Sequence, residues 1–218
     1  MKPQTVNDLS IDVALIQTAR DIAKLDASCI DEKNLPASLY DAVSQASENF
    51  PNEIAIKYIL DGDCLSQDQI PFSKKVIHHI FRVFKNSNVA NPYREITYRN
   101  LAEQVTQLAN GLRSLGIQKR DVTSLVMPNF PEAYISLWGA ATAGVVSPIN
   151  PLLDSSIIRE IMLASKTKVI IALGPVPGSD IWEKVLEIKD HIPNLRAVIS
   201  VFGPSIPVGK TTKFRSLA

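Results

Sequence analysis

Charged, aromatic and imidazole side chains crowd together once in this sequence, at Lys74, Lys75, His78, His79, Phe81, Arg82, Phe84 and Lys85. No acidic residue falls between Asp68 and Glu95, and Arg94 extends the positive run. At about 100° per residue, Val76, Ile77, Ile80, Phe81, Val83 and Phe84 share one arc of about 160°, and the basic and His residues fill the opposite arc. The spacing predicts a basic amphipathic helix within residues 71–94. Such a helix can lie in an anionic membrane surface with Phe81 and Phe84 at the headgroup boundary. Lys74, Lys75, Arg82 and Lys85 would then each add about 1 kcal/mol of attraction. The same pattern also describes a helix packed on its own domain with a solvated basic face, and both readings stay open at this point.

Other constellations are weaker. Adjacent His78 and His79 would point about 100° apart on a helix and cannot share a metal ion. With no Cys/His spacing of metal type, no metal site is expected. Gly203 to Thr211 nearly spells a phosphate loop, but five residues rather than four separate Gly203 from Gly209-Lys210-Thr211, and two of them, Pro204 and Pro207, lack the amide donors a cradle needs. No Gly-x-Gly-x-x-Gly fingerprint and no Gly-x-Ser-x-Gly elbow occurs. Gly174-Pro175-Val176-Pro177-Gly178 follows a predicted strand, where α/β folds place ligands, yet its prolines make it first a stiff turn. Spacing alone therefore nominates no catalytic, cofactor-binding or metal-binding residue.

The elements around these residues are those of a globular chain. At 218 residues, 45% hydrophobic, 21% charged and net charge +1, disordered and fibrous classes are excluded. Two cysteines, Cys29 and Cys64, make no disulfide framework, and Met1 to Ser10 carries no secretory pattern, so a cytoplasmic protein is expected, peripheral at a membrane if the basic helix docks there. Ala133–Leu153 is uncharged, but Pro148 and Pro151 argue for a buried helix running into a strand over a membrane span. Residues 1–68 hold five Lys/Arg and twelve Asp/Glu, so the positive charge lies in residues 69–218.

Leu9, Val13, Ile16 and Ala23 predict a helical lead-in over residues 1–36. A helix is expected at Ala37–Phe50, with Leu39, Val43, Ala46 and Phe50 on one side, and a strand at Ile54–Leu60. Tyr98, Leu101, Val105, Leu108, Leu112 and Leu115 step along one helix that Gly116 ends in a left-handed cap. Strands follow at Val122–Met127, Val145–Ser147, Lys168–Leu173 and Arg196–Val201. Between them come helices at Ala133–Ala143, started by Asn129 and Pro131, at Ile157–Ser165, capped by Asp154 or Ser155, and from Ser179 or Asp180 to Ile192. Strand and helix in alternation predict an α/β fold, a parallel sheet with flanking helices and right-handed crossovers. Residues 203–218 read as a linker leading out of the domain.

Several blocks carry a resemblance. Ile96-Thr97-Tyr98-Arg99-Asn100-Leu101, Leu115-Gly116-Ile117, Asp121-Val122, Met127-Pro128-Asn129-Phe130-Pro131-Glu132 and Ala143 to Leu152 resemble the amino-terminal part of acyl-CoA synthetases, members of the adenylate-forming, AMP-binding superfamily. Ala172 to Trp182 resembles the fatty acyl-CoA synthetase branch. The resemblance covers about residues 37–202 and implies that this segment is the N-terminal α/β subdomain of the synthetase fold, with 71–94 an insertion. It further implies ATP-dependent, Mg²⁺-assisted conversion of a fatty acid to an acyl-adenylate, then a thioester with CoA. Arg120 stands where the family usually has Gly. The family's Ser/Thr-Gly-rich loop ending Gly-x-Pro-Lys, and the motifs that follow it, have no counterpart here. No residue then inherits a catalytic or cofactor-binding role, and the expectation is a truncated piece, inactive alone, meeting fatty acid, ATP, Mg²⁺ and CoA only with the remainder. A non-catalytic module using the basic helix for a membrane surface or partner is the alternative. Homodimerisation is left open, and no nucleic acid partner is expected.

Overall fold

The computed structural model describes residues 18–20, 35–59, 93–176 and 178–202. The chain divides into two units, Met1–Pro36 and Ala37–Ala218, and the elements below belong to the second. Most of the helical lead-in over 1–36, nearly all of the 71–94 segment and the 203–218 linker lie outside the described residues. Residues 18–20, 35, 36, 93 and 94 are the exceptions.

Helix α1 spans Leu39–Asn49, and Ser38 Oγ accepts the Asp41 amide at 3.1 Å. Only Val43 of its expected apolar side is buried, while Leu39 and Phe50 are 44% and 46% exposed. Strand β1, Ile54–Ile59, pairs antiparallel with β2, Tyr93–Thr97. The expected strand at Ile54–Leu60 is β1, but the sequence predicts no strand at Tyr93–Thr97, because Arg94 and Glu95 hide a short ribbon strand among charges.

Thr97 caps α2, Tyr98–Ser114, accepting the Asn100 amide at 3.3 Å. Leu101, Val105, Leu108 and Leu112 form its buried stripe, and Gly116, at φ 81°, ends it in the left-handed conformation that its position predicts. Then come β3 (Val122–Val126), α3 (Pro131–Ala143), β4 (Val145–Ile149), α4 (Ser155–Ala164), β5 (Thr167–Leu173), α5 (Ile181–Ile188) and β6 (Ala197–Val201). Three expected boundaries move. Phe130, not Asn129, occupies the cap of α3, with Pro131 at the first helical position. The third predicted helix stops at Ile188 and a 3-10 turn, Lys189–His191, carries the chain on. Strand β4 continues through Pro148, which is tolerated because β4 is an edge strand.

The four parallel strands lie in the order β4-β3-β5-β6. The chain runs outward from β3 to β4, then crosses back over β3 to β5. With right-handed crossovers, this reversal places α3 on one face and α4 and α5 on the other. Helix α2 packs on α3, and α4 on α5. Strand β5, covered on both faces, carries Val169, Ile170, Ile171, Ala172 and Leu173 at 0% exposure, the unbroken apolar run that a doubly covered parallel strand requires. No helix among the described residues is long and apolar enough to cross a membrane.

Two glycines test this packing in opposite directions. A Cβ on Gly174 would stand 1.9 Å from the Phe202 carbonyl oxygen, whereas one on Gly111, within α2, meets nothing within 4 Å. Gly174→Ala should destabilise by about 2 kcal/mol or more. Gly111→Ala should stabilise by about 0.5–1 kcal/mol. Urea midpoints of the two variants check both signs.

Candidate functional site

In a sheet wound this way, ligands lie beyond the carboxyl ends of the strands where the winding reverses, here between β3 and β5. The segments that meet there are Met127 to Phe130 after β3, Gly174 and Pro175 after β5, and Phe202 after β6. Phe130 and Phe202 are 1% and 6% exposed, with ring centroids 5.3 Å apart. The Gly174 amide donates to the Val201 carbonyl at 2.7 Å, so the backbones after β5 and β6 touch. Phe202 has φ 63°, a left-handed conformation that a bulky residue adopts only when its surroundings force it. Aromatic packing thus fills the position at which a doubly wound fold receives a ligand. Among the described residues the charges on the loops around it are Glu132 (paired with Arg94), Asp154 and Asp180 (paired with Lys184 of α5 at 3.0 Å). Gly174 to Gly178 holds two prolines, which lack amide donors for a phosphate.

Beside this rim lies a half-buried ion pair. Glu132, in the first turn of α3, is 4% exposed and accepts from Arg94 of β2. Its Oε2 has no hydrogen-bond partner. Tyr58 of β1 is pushed up to about 12, first by burial, then by the charges of Glu132 and Tyr134. Arg94–Glu132 ties the β1–β2 ribbon to the start of α3, and so to the loop leaving β3.

At the opposite edge Asp121 gathers three groups. Lys168 Nζ stands 2.5 Å from Oδ1, the Gln118 amide donates to Oδ2 at 3.0 Å, and Arg196 approaches to 4.0 Å. Asp121 is held below the usual carboxylate range, chiefly by the Lys168 hydrogen bond. Asp121 thereby links the starts of β3, β5 and β6. Within the sheet, Ser124 and Thr167 hydroxyls meet at 2.7 Å, and Ser165 joins Thr167 at 2.9 Å. These contacts set strand register and carry no nucleophile–base geometry.

Lys74, Lys75, Phe81, Arg82, Phe84 and Lys85, the surface residues nominated from sequence, lie outside the described residues. Among the described residues, no three His, Cys, Asp or Glu side chains group as a metal site. Sequence reasoning missed the Arg94–Glu132 pair. Glu132 was visible as a helix-start signal and Arg94 as one more positive charge, but nothing local shows that residues 38 apart meet.

The family model for AMP-binding enzymes matches residues 76–216, more than half of the chain. The chain belongs to that family. It is 31% identical over 108 residues to the marinolic acid–CoA ligase of Pseudoalteromonas sp., covering 50% of this chain and 16% of that protein. It is 27% identical over 158 residues to the acetyl-coenzyme A synthetase of Shewanella oneidensis, covering 72% of this chain and 21% of that protein. The chain therefore spans about a sixth to a fifth of these curated relatives. Among solved structures, the acetoacetyl-CoA synthetase from Streptomyces lividans superposes with TM-score 0.58 at 23% identity over 79% of this chain and 23% of that one. The fatty acyl CoA synthetase of Mycobacterium tuberculosis gives 0.52 at 19% identity over 75% and 26%. The resemblance to acyl-CoA synthetases and the α/β fold it implied both hold.

Two measurements test the charge clusters. Arg94→Met strands a buried carboxylate and should cost about 3 kcal/mol, whereas Glu132→Gln keeps an acceptor for the partly exposed Arg94 and should cost about 1 kcal/mol. Chemical denaturation of both variants checks that order. Because Asp121 is depressed in the folded state, its stabilisation is present above the unfolded value of about 3.9 and disappears as pH falls below it. Asp121→Asn should be less stable than the parent at pH 7, and the two urea midpoints should converge on acidification.

Proposed function

We propose that residues 37–202 are the amino-terminal α/β scaffold of an AMP-forming fatty acid–CoA ligase, and that residues 1–218 by themselves do not adenylate a carboxylic acid. The family match over 76–216 carries the ligase assignment. Support for fatty acid as substrate comes from the Ala172 to Trp182 segment, which resembles the fatty acyl branch. The relatives' own names cover acids as different as marinolic and acetic. In the whole enzyme ATP and Mg²⁺ would supply the activated acyl-phosphate linkage and CoA the thiol that displaces AMP.

The described residues do not fit those groups. Phe130 and Phe202 pack the carboxyl rim, and the charges on its loops are carboxylates, with Lys184 already paired to Asp180. No step is therefore assigned to a side chain of this segment. Its part in the reaction is to hold the sheet and the rim loops against which the remainder of a ligase assembles. The segment 71–94, with Lys74, Lys75, Phe81, Arg82, Phe84 and Lys85, is proposed as a surface element of that scaffold that touches anionic lipid.

ATP–pyrophosphate exchange driven by a long-chain fatty acid, run on this polypeptide with Mg²⁺, should stay at background. Exchange above background that depends on the acid would overturn the scaffold reading. Flotation with phosphatidylserine vesicles at low salt tests the lipid contact separately, and absence of binding would remove it.

A further inference from the structure

The amino edge of the parallel sheet is rich in basic side chains. All α-to-β connections lie at the amino edge, where residues 113–121, 142–145, 164–168 and 194–196 contain Arg113, Lys119, Arg120, Lys166, Lys168 and Arg196 against the single carboxylate Asp121. Contacts weld these loops into one surface. Arg113 donates to the Thr142 carbonyl at 3.1 Å, the Val145 amide to the Asp121 carbonyl at 2.9 Å, and Arg196 to the Gly116 carbonyl at 2.6 Å. Asp121 is half-buried and binds Lys168, whereas Lys119, Arg120 and Lys166 are exposed. Lys166 has φ 56°, a conformation that favours glycine or asparagine, yet a lysine is held there. Glu187 and Asp190 stand only on the α5 flank, and Asp190 is paired with Lys189. At the carboxyl edge the described loops, residues 127–132, 150–155 and 174–180, carry Glu132, Asp154 and Asp180, of which Glu132 is paired with Arg94 and Asp180 with Lys184.

We propose that the amino edge of the sheet docks the acidic face of a protein partner, with Lys119, Arg120 and Lys166 as its accessible contacts. Complementary charge on a fixed surface steers association and sets orientation. A lipid surface fits less well, because Val145 is the one large apolar side chain exposed on these loops and lipid docking needs inserted apolar or aromatic groups. Nucleic acid fits less well too, since the same loops hold no aromatic side chain on which a base could stack. Helix C-termini explain part of the charge, since cations there complement the dipole, but Lys119 and Arg120 lie beyond any helix.

The test compares two triple variants with the same change in net charge, Lys119→Glu/Arg120→Glu/Lys166→Glu at the edge and Lys74→Glu/Lys75→Glu/Lys85→Glu in the basic segment. Probes are poly-L-glutamate, phosphatidylserine vesicles and duplex DNA at low salt. The edge variant should bind poly-L-glutamate about tenfold more weakly than the parent, and the segment variant should change it less than about twofold. If the glutamate variant does not keep the parent's urea midpoint, the triple glutamine variant at the same three positions replaces it. The proposal is overturned if the parent does not bind the acidic polypeptide, if both variants weaken it equally, or if the edge variant loses vesicle or DNA affinity instead.

Discussion

The fold depends on one reversal. After β3 the chain steps outward to β4, then must return across β3 to reach β5, and right-handed crossovers send the intervening helices to opposite faces. That reversal buries β3 and β5 on both sides. It explains why β5 is apolar throughout its middle, and why Thr123, Ser124 and Thr167, at 0% exposure, must find partners inside the sheet or do without. Ser124 and Thr167 find each other, whereas Thr123 Oγ1 does not.

The same reversal separates two edges with different tasks. At the amino edge Asp121 draws Lys168 and Arg196 together and fixes the strand starts. At the carboxyl edge Phe130, Gly174 and Phe202 close over the crevice where the winding changes direction. A scaffold emerges whose rim is packed with rings and bordered by carboxylates. Membership of the AMP-binding enzyme family and this packed rim are compatible, because the chain spans only a fraction of each relative it matches.

Much of the scaffold was legible because its signals are local. The Leu101 to Leu112 stripe, the Gly116 cap and the apolar runs of β3 and β5 each follow from residues adjacent on one element. Of the ribbon, β1 was legible from its alternation but β2 was not: β2 is five residues long, and Arg94 and Glu95 in it serve an ion pair with Glu132 and another with Lys57. Phe50 looked like core by helical spacing, but α1 ends before it and nothing covers enough of its ring. The candidate surface at 71–94 was read from periodicity alone. The charge clusters at Asp121 and Glu132 join residues tens of positions apart, and only the fold brings them together.

Equilibrium dialysis of the polypeptide against labelled ATP with Mg²⁺ addresses the central claim most directly, because it asks whether the rim holds a triphosphate at all. The packed, carboxylate-bordered rim predicts no saturable binding up to about 1 mM, the upper end of ordinary substrate affinities. Saturable, stoichiometric retention of ATP below that concentration, abolished by opening the rim with Phe130→Ala, would contradict it.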